Sequence, residues 1–451
     1  MLKLYDKYAV TDIETDGLLD TTKRFWCAWI YDSSSDEYMG FTDLNEYMDA
    51  LDYYGTHDYN LVFHNGCKFD IPALKKLSGR RFSFDPRNVV VDTLVFARLV
   101  WSNLKDVDMG LIRSGKLPKR LFGSHSLKAY GYRMGELKGD YGEAEGAWDS
   151  FSEAMFEYNK QDVVVTKKLY EKLLDKGYPW GAVQLEHDIA WVMAKQERNG
   201  FVFDKDKAIK LYSDLAEARD ALTKELIEDV PPMLVGVKVY KRDNAKRGIK
   251  AGVEYPQYEP FNPNSRQQVA KVLMERGWVP NEFTKTGLPK VDESTLESAK
   301  DIPITAKIMS LLLLNKRLGQ LAEGDNAWLK LMKEDDDGLV RIHGSVNPNG
   351  AVTGRATHAY PNVAQVPSGH SPYGKECREL FTVPNGWFEA GIDASGLELR
   401  CFGHFLYPYD HGDYIKEILN GDIHTKNQKA AGLPTRDNAK TFNKIDVYKL
   451  I

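Results

Sequence analysis

The sequence predicts an α/β domain followed by a mainly helical region, and three observations support this. The 451 residues exceed what one ordinary hydrophobic core organises, so two or three domains are expected. Up to about Lys176, β-rich runs alternate with helical runs, which is typical of the α/β class. From about residue 177 to 337 apolar residues recur mostly at helical spacing, and a third region begins near Gly338.

The first region contains four β-rich runs and one long helical run. The strands are predicted at YAVTDIET, FWCAWIYD, NLVFHNG and NVVVDTLVF, and the helix at FSEAMFEYNKQDVVVTKKLYEKLLDK. In the second region, AVQLEHDIAWVMAKQERNG is predicted to be a helix that stops at Asn199–Gly200. The next helix is expected to have Asp204 as its N-cap, and NPNSRQQVAKVLMERG predicts another.

Two polar segments interrupt this pattern, and two ordered elements follow them. Residues 231–262 hold Pro, Gly and six Lys or Arg, which favours a loop or a small insertion. The run of three aspartates at 335–337 is expected in a solvated turn. In the third region WFEAGID predicts a strand and SGLELRCFGHF a helix.

Composition is that of an ordinary globular protein. Hydrophobic residues make up 43% and charged residues 28%, and the net charge is −5. This charge argues against a protein that coats nucleic acid along its whole surface, but it leaves room for a local basic channel. No run of about 18 uncharged apolar residues and no signal-peptide pattern is found. The four cysteines have no zinc-site spacing, which favours a reducing cytoplasm.

A first group of polar residues has the chemistry of a metal-dependent nuclease. Asp12 and Glu14, two apart on a strand, point to one face; Asp70 follows, and Tyr158 precedes Asp162 by one helical turn. Four carboxylates and a tyrosine suit phosphodiester hydrolysis with two Mg²⁺ or Mn²⁺ ions. Taken singly, the first segment is more often a solvated strand face and the third a surface pair, and the second is compatible with a turn and a helix N-cap. Their joint occurrence in this order favours the nuclease.

The order DIET, HNGCKFD, YNKQD resembles the three motifs of the DEDD exonuclease superfamily in its tyrosine form. The resemblance implies that the four carboxylates bind the metal ions and that Tyr158 positions the attacking water. It also implies that His64 and Asn65 line the site without performing the chemistry.

A second group of segments follows His343. HGSVNPNGAVTGRATHAYPNVAQVPS predicts an extended polar loop that could press on a phosphate backbone, although the residues alone favour an ordinary loop. Asp393 ends the predicted strand, where it could hold Mg²⁺ or simply cap the next helix. Arg436 and Lys440, four apart, could bind a triphosphate or be an exposed basic pair.

Together these segments resemble the polymerase domain of family A DNA polymerases, the DNA polymerase I family, and most nearly its phage branch. The resemblance implies roles for nine residues: Arg355, Asn362 and Gln365 contact primer–template DNA, Asp393 binds metal beside the Ala394 carbonyl, Glu398 excludes a ribose 2′-hydroxyl, and His424, Arg436 and Lys440 meet the incoming dNTP. It implies a ribonuclease H-like exonuclease domain (1–176), a helical thumb (177–337) and a partial palm with the start of the fingers (338–442).

The last nine residues, 443–451, depart from the family pattern. Lys444 stands where the family has an aromatic residue, Lys449 replaces the glycine expected after a tyrosine, and a later His-Asp-Glu sequence is absent. We therefore expect a chain truncated within the fingers that removes 3′-terminal nucleotides but does not polymerise DNA alone. An intron read-through, a split gene and a cloning truncation all remain open as causes.

The same resemblance predicts the partners. These are single-stranded 3′ ends and primer–template DNA, with dNTP in the complete enzyme, in the cytoplasm of an infected bacterium and without a membrane. Residues 231–262 are too short for a full thioredoxin-binding insertion, so that partner is not expected. Alternatives are one half of a split polymerase completed by a second chain, a non-catalytic primer–template-binding fragment, and an RNA-trimming nuclease.

Overall fold

The computed structural model describes residues 1–436 and 438–439. Chain contacts divide the protein into two compact units, the first Met1–Thr382 and the second beginning at Val383. Each unit is described separately below.

A five-stranded mixed sheet organises the first part of the first unit. Its strands are β1 (Lys7–Thr15), β2 (Phe25–Asp32), β3 (Glu37–Phe41), β4 (Tyr59–Phe63) and β5 (Val90–Asp92). They lie in the order β3-β2-β1-β4-β5, with β1, β4 and β5 parallel and β2 and β3 antiparallel to their neighbours. The helices of this part are α1 (Leu44–Thr56), α2 (Asp70–Ser78), α3 (Pro86–Val89), α4 (Thr93–Val100), α5 (Leu104–Arg113), α6 (Leu127–Met134) and α7 (Glu153–Leu174).

Both faces of this sheet are covered by helices. One core joins Ala9 and Ile13 of β1 to apolar side chains of α1 and α2. The other joins Val10 to side chains of α4, α6 and α7. Because side chains alternate along a strand, Asp12 and Glu14 lie on the same face as Val10, under α7. The parallel pairing of β1 with β4 runs only as far as Val10, so both carboxylates lie beyond it.

The second part of the first unit is mainly helical. Its elements are α8 (Trp180–Asn199), β6 (Phe201–Phe203), α9 (Lys205–Glu228), β7 (Met233–Val239), β8 (Glu254–Glu259), α10 (Arg266–Glu275), α11 (Glu293–Leu296), α12 (Pro303–Leu318), α13 (Trp328–Leu331) and β9 (Met332–Glu334). One hydrophobic core contains side chains from the C-terminal end of α9, from α10 and from the N-terminal half of α12. A second core packs β6 and the N-terminal half of α9 against the C-terminal end of α12.

Helix α8 packs back onto the first sheet instead of standing apart from it. Its Val183 belongs to the core under α7. The Nε2 atom of buried His187 accepts a hydrogen bond from the backbone N–H of Asp92 at 2.8 Å, and its Nδ1–H donates to the Val183 carbonyl at 2.7 Å. Both ring nitrogens are therefore used, and burial lowers the pKa of His187, which keeps the ring neutral.

The remaining strands of the first unit complete two small sheets. They are β10 (Val340–Ile342), β11 (Ser345–Asn347), β12 (Thr357–Ala359) and β13 (Phe381–Thr382), with α14 (Gly374–Arg378) before the last. Strands β13, β6, β10 and β9 form a four-stranded sheet, and β11 pairs with β12. The aspartates at 335–337 lie between β9 and β10, which agrees with the predicted turn.

Most of the predicted elements are confirmed, and one is only partly so. Helix α8 ends at Asn199, and the side chain of Asp204 accepts a hydrogen bond from Lys207 N as the N-cap of α9. In NVVVDTLVF the strand is confined to β5, because the side chain of Asp92 caps α4 by accepting from Leu94 N. Residues 231–262 form an antiparallel hairpin, β7–β8.

The described part of the second unit includes the helices α15 (Leu397–Asp410), α16 (Asp413–Asn420) and α17 (Ile423–Ala430). The helix predicted at SGLELRCFGHF is confirmed, but it starts after Gly396 with φ 58°, so Asp393 is not its cap. The strand predicted at WFEAGID is wrong: within the described part of this unit no strand pairs with it, and a strand needs a partner for its backbone groups.

No described helix combines the length and the apolar character needed to cross a bilayer.

A buried ion pair fixes α6 against α5. The Asp108 side chain has no exposed surface, and it accepts from Arg133 Nε at 2.8 Å and Nη2 at 2.9 Å. Replacing Arg133 with Met would leave a buried charge without its partner. We expect Arg133→Met to lower the free energy of unfolding by about 3 kcal/mol.

Thermal unfolding followed by tryptophan fluorescence would measure this change. Arg87→Met is the matched control, because its ion pair with Asp85 is exposed and should contribute less than about 1 kcal/mol. Equal effects of the two substitutions would contradict the assignment of Asp108 as a buried charge.

Candidate functional site

Three carboxylates meet between β1 and α7. Asp12 and Glu14 come from the strand and Asp162 from the helix, and one oxygen from each lies within 4.8 Å of the others. Asp12 and Glu14 are half-buried and Asp162 is buried. Within residues 1–436 and 438–439, no other group of three potential metal ligands is found.

Asp70 approaches this cluster from α2 but is not one of the three. It is the first residue of α2 and is buried. Its charge is nonetheless the largest electrostatic contribution to the raised pKa of Asp12. The structure therefore brings three of the four predicted carboxylates together and places the fourth next to Asp12.

Burial raises the pKa of every carboxyl group in the site, and repulsion by the other carboxylates of the site adds to it for Asp12 and Glu14. Burial is the first cause for Asp12, whose pKa lies well above its usual range, and the charges of Asp70, Asp162 and Glu14 add to it. Burial also raises the pKa of Glu14 and of Asp70 to about 8. For Asp162, burial raises the pKa to about 6, while the ammonium of Lys138 opposes the rise.

The long helix α7 supplies further groups to the same site. Asn159 Nδ2 donates to Asp12 Oδ2 at 2.8 Å. Tyr158, one turn before Asp162, packs edge-on against Trp148 and obliquely against Tyr141. Burial raises the pKa of Tyr158, and the charge of Asp162 adds to that rise. The tyrosine is thus a neutral hydroxyl at the edge of the carboxylate cluster.

The loop after β4 is held in place by Asp92. One oxygen of Asp92 accepts from Asn65 N at 2.9 Å and the other from Cys67 N at 3.1 Å. Asn65 takes a φ of +75°, and the loop leads directly into Asp70. The Nδ1 atom of His64 contacts Thr93 Oγ1 at 2.9 Å, and burial lowers the pKa of His64 to about 4.

The same loop contacts the segment predicted to hold primer–template DNA. Lys68 Nζ donates to Glu197 Oε2 at 2.6 Å and to Ser345 Oγ at 2.9 Å. Ser345 starts β11, and Arg98 Nη1 donates to Asn347 Oδ1 of the same strand at 3.0 Å. Motif residues of the carboxylate site and strand β11 therefore share direct side-chain contacts.

The predicted DNA-contacting residues lie near the β11–β12 pair. Arg355 is exposed in the turn between these two strands. Asn362 precedes a short 3₁₀ turn and Gln365 is its last residue, and the Gln365 carbonyl accepts from Gln320 Nε2 at 3.1 Å. Asn362 Oδ1 is buried and has no hydrogen-bond partner in the described part of the chain.

In the second unit, Asp393 belongs to no group of three potential metal ligands among the described residues. Asp393, Ala394 and Glu398 are exposed. Arg436 makes a bidentate contact with Asp422, with Nε–Oδ2 2.7 Å and Nη2–Oδ1 3.1 Å.

Two further predictions concern the same unit. His424 is the second residue of α17, and its backbone N–H donates to the capping Asp422. Lys440, with Lys444 and Lys449, lies outside the described residues.

Comparison with known proteins identifies the family of this chain. Residues 9–174 match a model of the RNase H superfamily, and residues 242–446 match DNA polymerase family A. The DNA-directed DNA polymerase of Escherichia phage T7 is 44% identical over 96% of this chain and 74% of its own length. The chain belongs to the family A DNA polymerases.

Other relatives agree with this family. The DNA-directed DNA polymerase of Enterobacteria phage T3 is 45% identical over 96% of this chain and 74% of its own. The thermostable DNA polymerase I of Thermus aquaticus is 28% identical over 55% of this chain and 27% of its own. The match to the phage T7 enzyme extends over 527 positions, more than the 451 residues of this polymerase chain, so that relative has segments that are absent here.

The fold has a solved counterpart. The POL domain of Pol1 from M. smegmatis, solved with a DNA primer–template and dNTP, superposes with a TM-score of 0.63 at 17% identity. The match covers 97% of this polymerase chain and 67% of that one, and it supports the fold alone.

Three residues of the carboxylate site were missed by sequence reasoning. Asn159 directly follows Tyr158, and its position on α7 beside β1 was the available signal. Asp92 ends a β-rich run, where it looked like part of a strand. Lys138 lies in a segment without periodicity, and nothing in the sequence marked it.

The raised pKa values predict that metal binding and pH act together on stability. Without metal, the folded polymerase keeps protons on Asp12 and Glu14 that the unfolded chain releases above about pH 4.5. The folded state then binds more protons, so stability falls as pH rises from about 5 to 8. A divalent cation needs these groups deprotonated, so its stabilising effect should grow over the same range.

Melting temperatures at about pH 5.5 and 8, each with Mg²⁺ and with EDTA, would measure this coupling. The double variant Asp12→Asn/Glu14→Gln is the control and should lose the metal-dependent part. A metal-induced shift of equal size at both pH values would show that these carboxylates do not bind the cation.

Proposed function

We propose that Asp12, Glu14, Asp70 and Asp162 form the active site of a metal-dependent 3′→5′ exonuclease that proofreads DNA within a phage polymerase. The carboxylate cluster between β1 and α7 is the observation that carries this proposal. The match of residues 9–174 to the RNase H superfamily supports it, since that match covers all four carboxylates.

The residues fit a pair of Mg²⁺ or Mn²⁺ ions. Hard carboxylate oxygens are the ligands that these ions prefer. One oxygen of Asp162 is buried and has no hydrogen-bond partner in the described ranges, which suits an atom that ligates a cation. When bound, such ions neutralise the phosphate and lower the pKa of a water molecule.

The chain itself positions the water and the DNA end. We assign Tyr158 the orientation of the attacking water, because its hydroxyl group lies at the edge of the cluster. Water adds to the terminal phosphorus, the bond to the 3′-oxygen of the preceding nucleotide breaks, and that oxygen takes a proton. The products are a nucleoside 5′-monophosphate and a DNA strand that is shorter by one nucleotide and ends in a 3′-hydroxyl.

Single-stranded 3′ ends are the proposed substrate. The nucleotides that enter the site must be unstacked, and aromatic side chains compensate for lost base stacking. We place the reaction in the cytoplasm of an infected bacterium, as expected for relatives of phage polymerases. Primer–template DNA and dNTP are the ligands proposed for the polymerase part, and thioredoxin is not proposed as a partner.

We further propose that residues 1–451 alone do not extend a primer. Asp393 is exposed and belongs to no carboxylate cluster in the described part of the chain, whereas polymerase chemistry with two metal ions needs more than one carboxylate. A second candidate is a polymerase completed by another polypeptide. The exposure of Trp387 at 71%, Phe388 at 95% and Ile392 at 97% favours it, because such apolar side chains are normally covered.

The exonuclease assignment predicts the effect of removing two metal ligands. Asp12→Ala/Glu14→Ala should lower digestion of a 5′-labelled single-stranded oligonucleotide in Mg²⁺ by more than about 1,000-fold. Folding should be retained, because two repelling buried carboxylates are removed. Glu37→Ala, an exposed carboxylate on β3, is the control and should digest normally. Digestion by the double variant, or wild-type digestion that persists in EDTA, would exclude the proposed site.

The polymerase assignment predicts a separation of activities. Asp393→Ala should leave digestion of the same oligonucleotide within about twofold of wild type, since Asp393 belongs to the other compact unit and substitutions at independent sites do not couple. A primed template with dNTPs, assayed in parallel, should show no extension by either protein. Extension by the wild-type chain would contradict the proposed incomplete palm, and a large loss of digestion in Asp393→Ala would mean that the nuclease chemistry is misplaced.

A further inference from the structure

Lys138 lies inside the carboxylate site although none of the three exonuclease motifs contains it. Its ammonium contacts Asp162 Oδ2, and the two side chains are 18% and 3% exposed. The same Nζ lies 4.6 Å from the ring centroid of Tyr158. Lys138 thus touches both functional residues that α7 presents one turn apart.

The backbone around Lys138 is anchored on both sides. Gln161 Nε2 donates to Glu136 Oε1 at 3.0 Å and to the Leu137 carbonyl at 3.1 Å. On the other side, Asp140 accepts from Lys128 of α6 at 2.6 Å. The segment that carries Lys138 is therefore fixed to the helix that carries Tyr158 and Asp162.

Gly131 of α6 makes room for this segment. A Cβ atom at this position would lie 2.6 Å from the Glu136 carbonyl oxygen, closer than any side chain permits. A neighbouring ion pair, Lys168 with Glu136, adds a second contact to α7. Such anchoring is not expected of a lysine that only reaches into solvent.

The two oxygens of Asp162 have different surroundings. Oδ2 is taken by Lys138, whereas Oδ1 is buried without a hydrogen-bond partner among the described residues. A metal-ligating carboxylate usually has its second oxygen held by a neighbouring donor, which fixes its orientation. Lys138 has the geometry of that donor.

We propose that Lys138 is a positioning residue of the exonuclease. It holds Asp162 by one oxygen so that the other faces the cation, and it holds the Tyr158 ring so that the hydroxyl meets the attacking water. This inference rests on the proposed function of the site. A lysine that served only as a counter-charge would compete with metal for the carboxylates and would not be needed once metal has bound. The positioning role proposed for Lys138 differs in this respect.

The test compares Lys138→Met with wild type and with Lys160→Met. Lys160 lies on the same helix, but its ammonium is over the Trp29 ring at 4.7 Å and forms no ion pair with a carboxylate of the described residues. Hydrolysis of a labelled oligonucleotide at saturating Mn²⁺ gives kcat and KM, and calorimetric titration of the DNA-free protein gives Mn²⁺ affinity. Lys138→Gln replaces Lys138→Met if the latter melts at a clearly lower temperature.

We expect Lys138→Met to lower kcat by about 10- to 100-fold, the usual effect of removing a group that orients a metal ligand. KM should stay within about twofold, because no DNA contact is assigned to Lys138. Mn²⁺ affinity should be unchanged or higher, because Asp162 keeps the oxygen that faces the cation and a positive charge beside it is gone. Lys160→Met should match wild type in all three quantities.

Two results would overturn the inference. A kcat of Lys138→Met equal to wild type would show that Lys138 is only a counter-charge, and a parallel loss of Mn²⁺ affinity would show that it merely maintains the metal site. Neither result affects the proposed function, which instead fails if the wild-type protein does not digest the oligonucleotide in Mn²⁺.

Discussion

The confinement of several carboxylates within a few ångströms of one another is the constraint on which the rest of this structure depends. Like charges with little access to water repel strongly, and an isolated buried carboxylate is costly. The first unit nevertheless places Asp12, Glu14 and Asp162 together and Asp70 beside them. Stable packing therefore has to come from elsewhere, and it comes from the two apolar cores that cover both faces of the sheet.

Helix α7 links that packing to the chemistry. Over its 22 residues it buries Val163, Leu169 and Leu173 in the core, while its first half presents Tyr158 and Asp162 to the site. Because one rigid element carries both sets, the distances within the site are fixed by the same contacts that stabilise the fold. The anchored segment that carries Lys138 extends this principle to a residue outside any regular element.

The sequence was a good guide wherever a local repeat determines direction. Alternation along β1 places Asp12 and Glu14 on one face of the strand, and the helical period places Tyr158 and Asp162 on one face of α7. The approach of the two pairs to each other could therefore be expected. Local patterns fail where a partner far along the chain decides the outcome. The run WFEAGID has the composition of a strand, but pairing depends on a neighbour, and the described part of its unit supplies none.

The position of Lys138 shows the same limit within the site. Its segment has neither a strand period nor a helix period, and its path is set by hydrogen bonds from Gln161, which is 24 residues away from Leu137. Asp92 was hidden for a related reason, because a cap at the end of a short strand reads as part of that strand. Both residues act by holding others, and such roles leave little trace in residue patterns.

Helix α8 has a practical consequence for dissecting this chain. Its His187 accepts the backbone N–H of Asp92, the residue that shapes the loop before Asp70, and its Gln184 donates to the Leu2 carbonyl at 2.6 Å. A fragment that carries the proposed nuclease site but ends before α8 would lack Val183 and expose the part of the hydrophobic core that this side chain covers. It would also leave the backbone N–H of Asp92 without its acceptor, His187. A fragment designed to keep the proposed nuclease site intact should therefore include α8, which ends at Asn199.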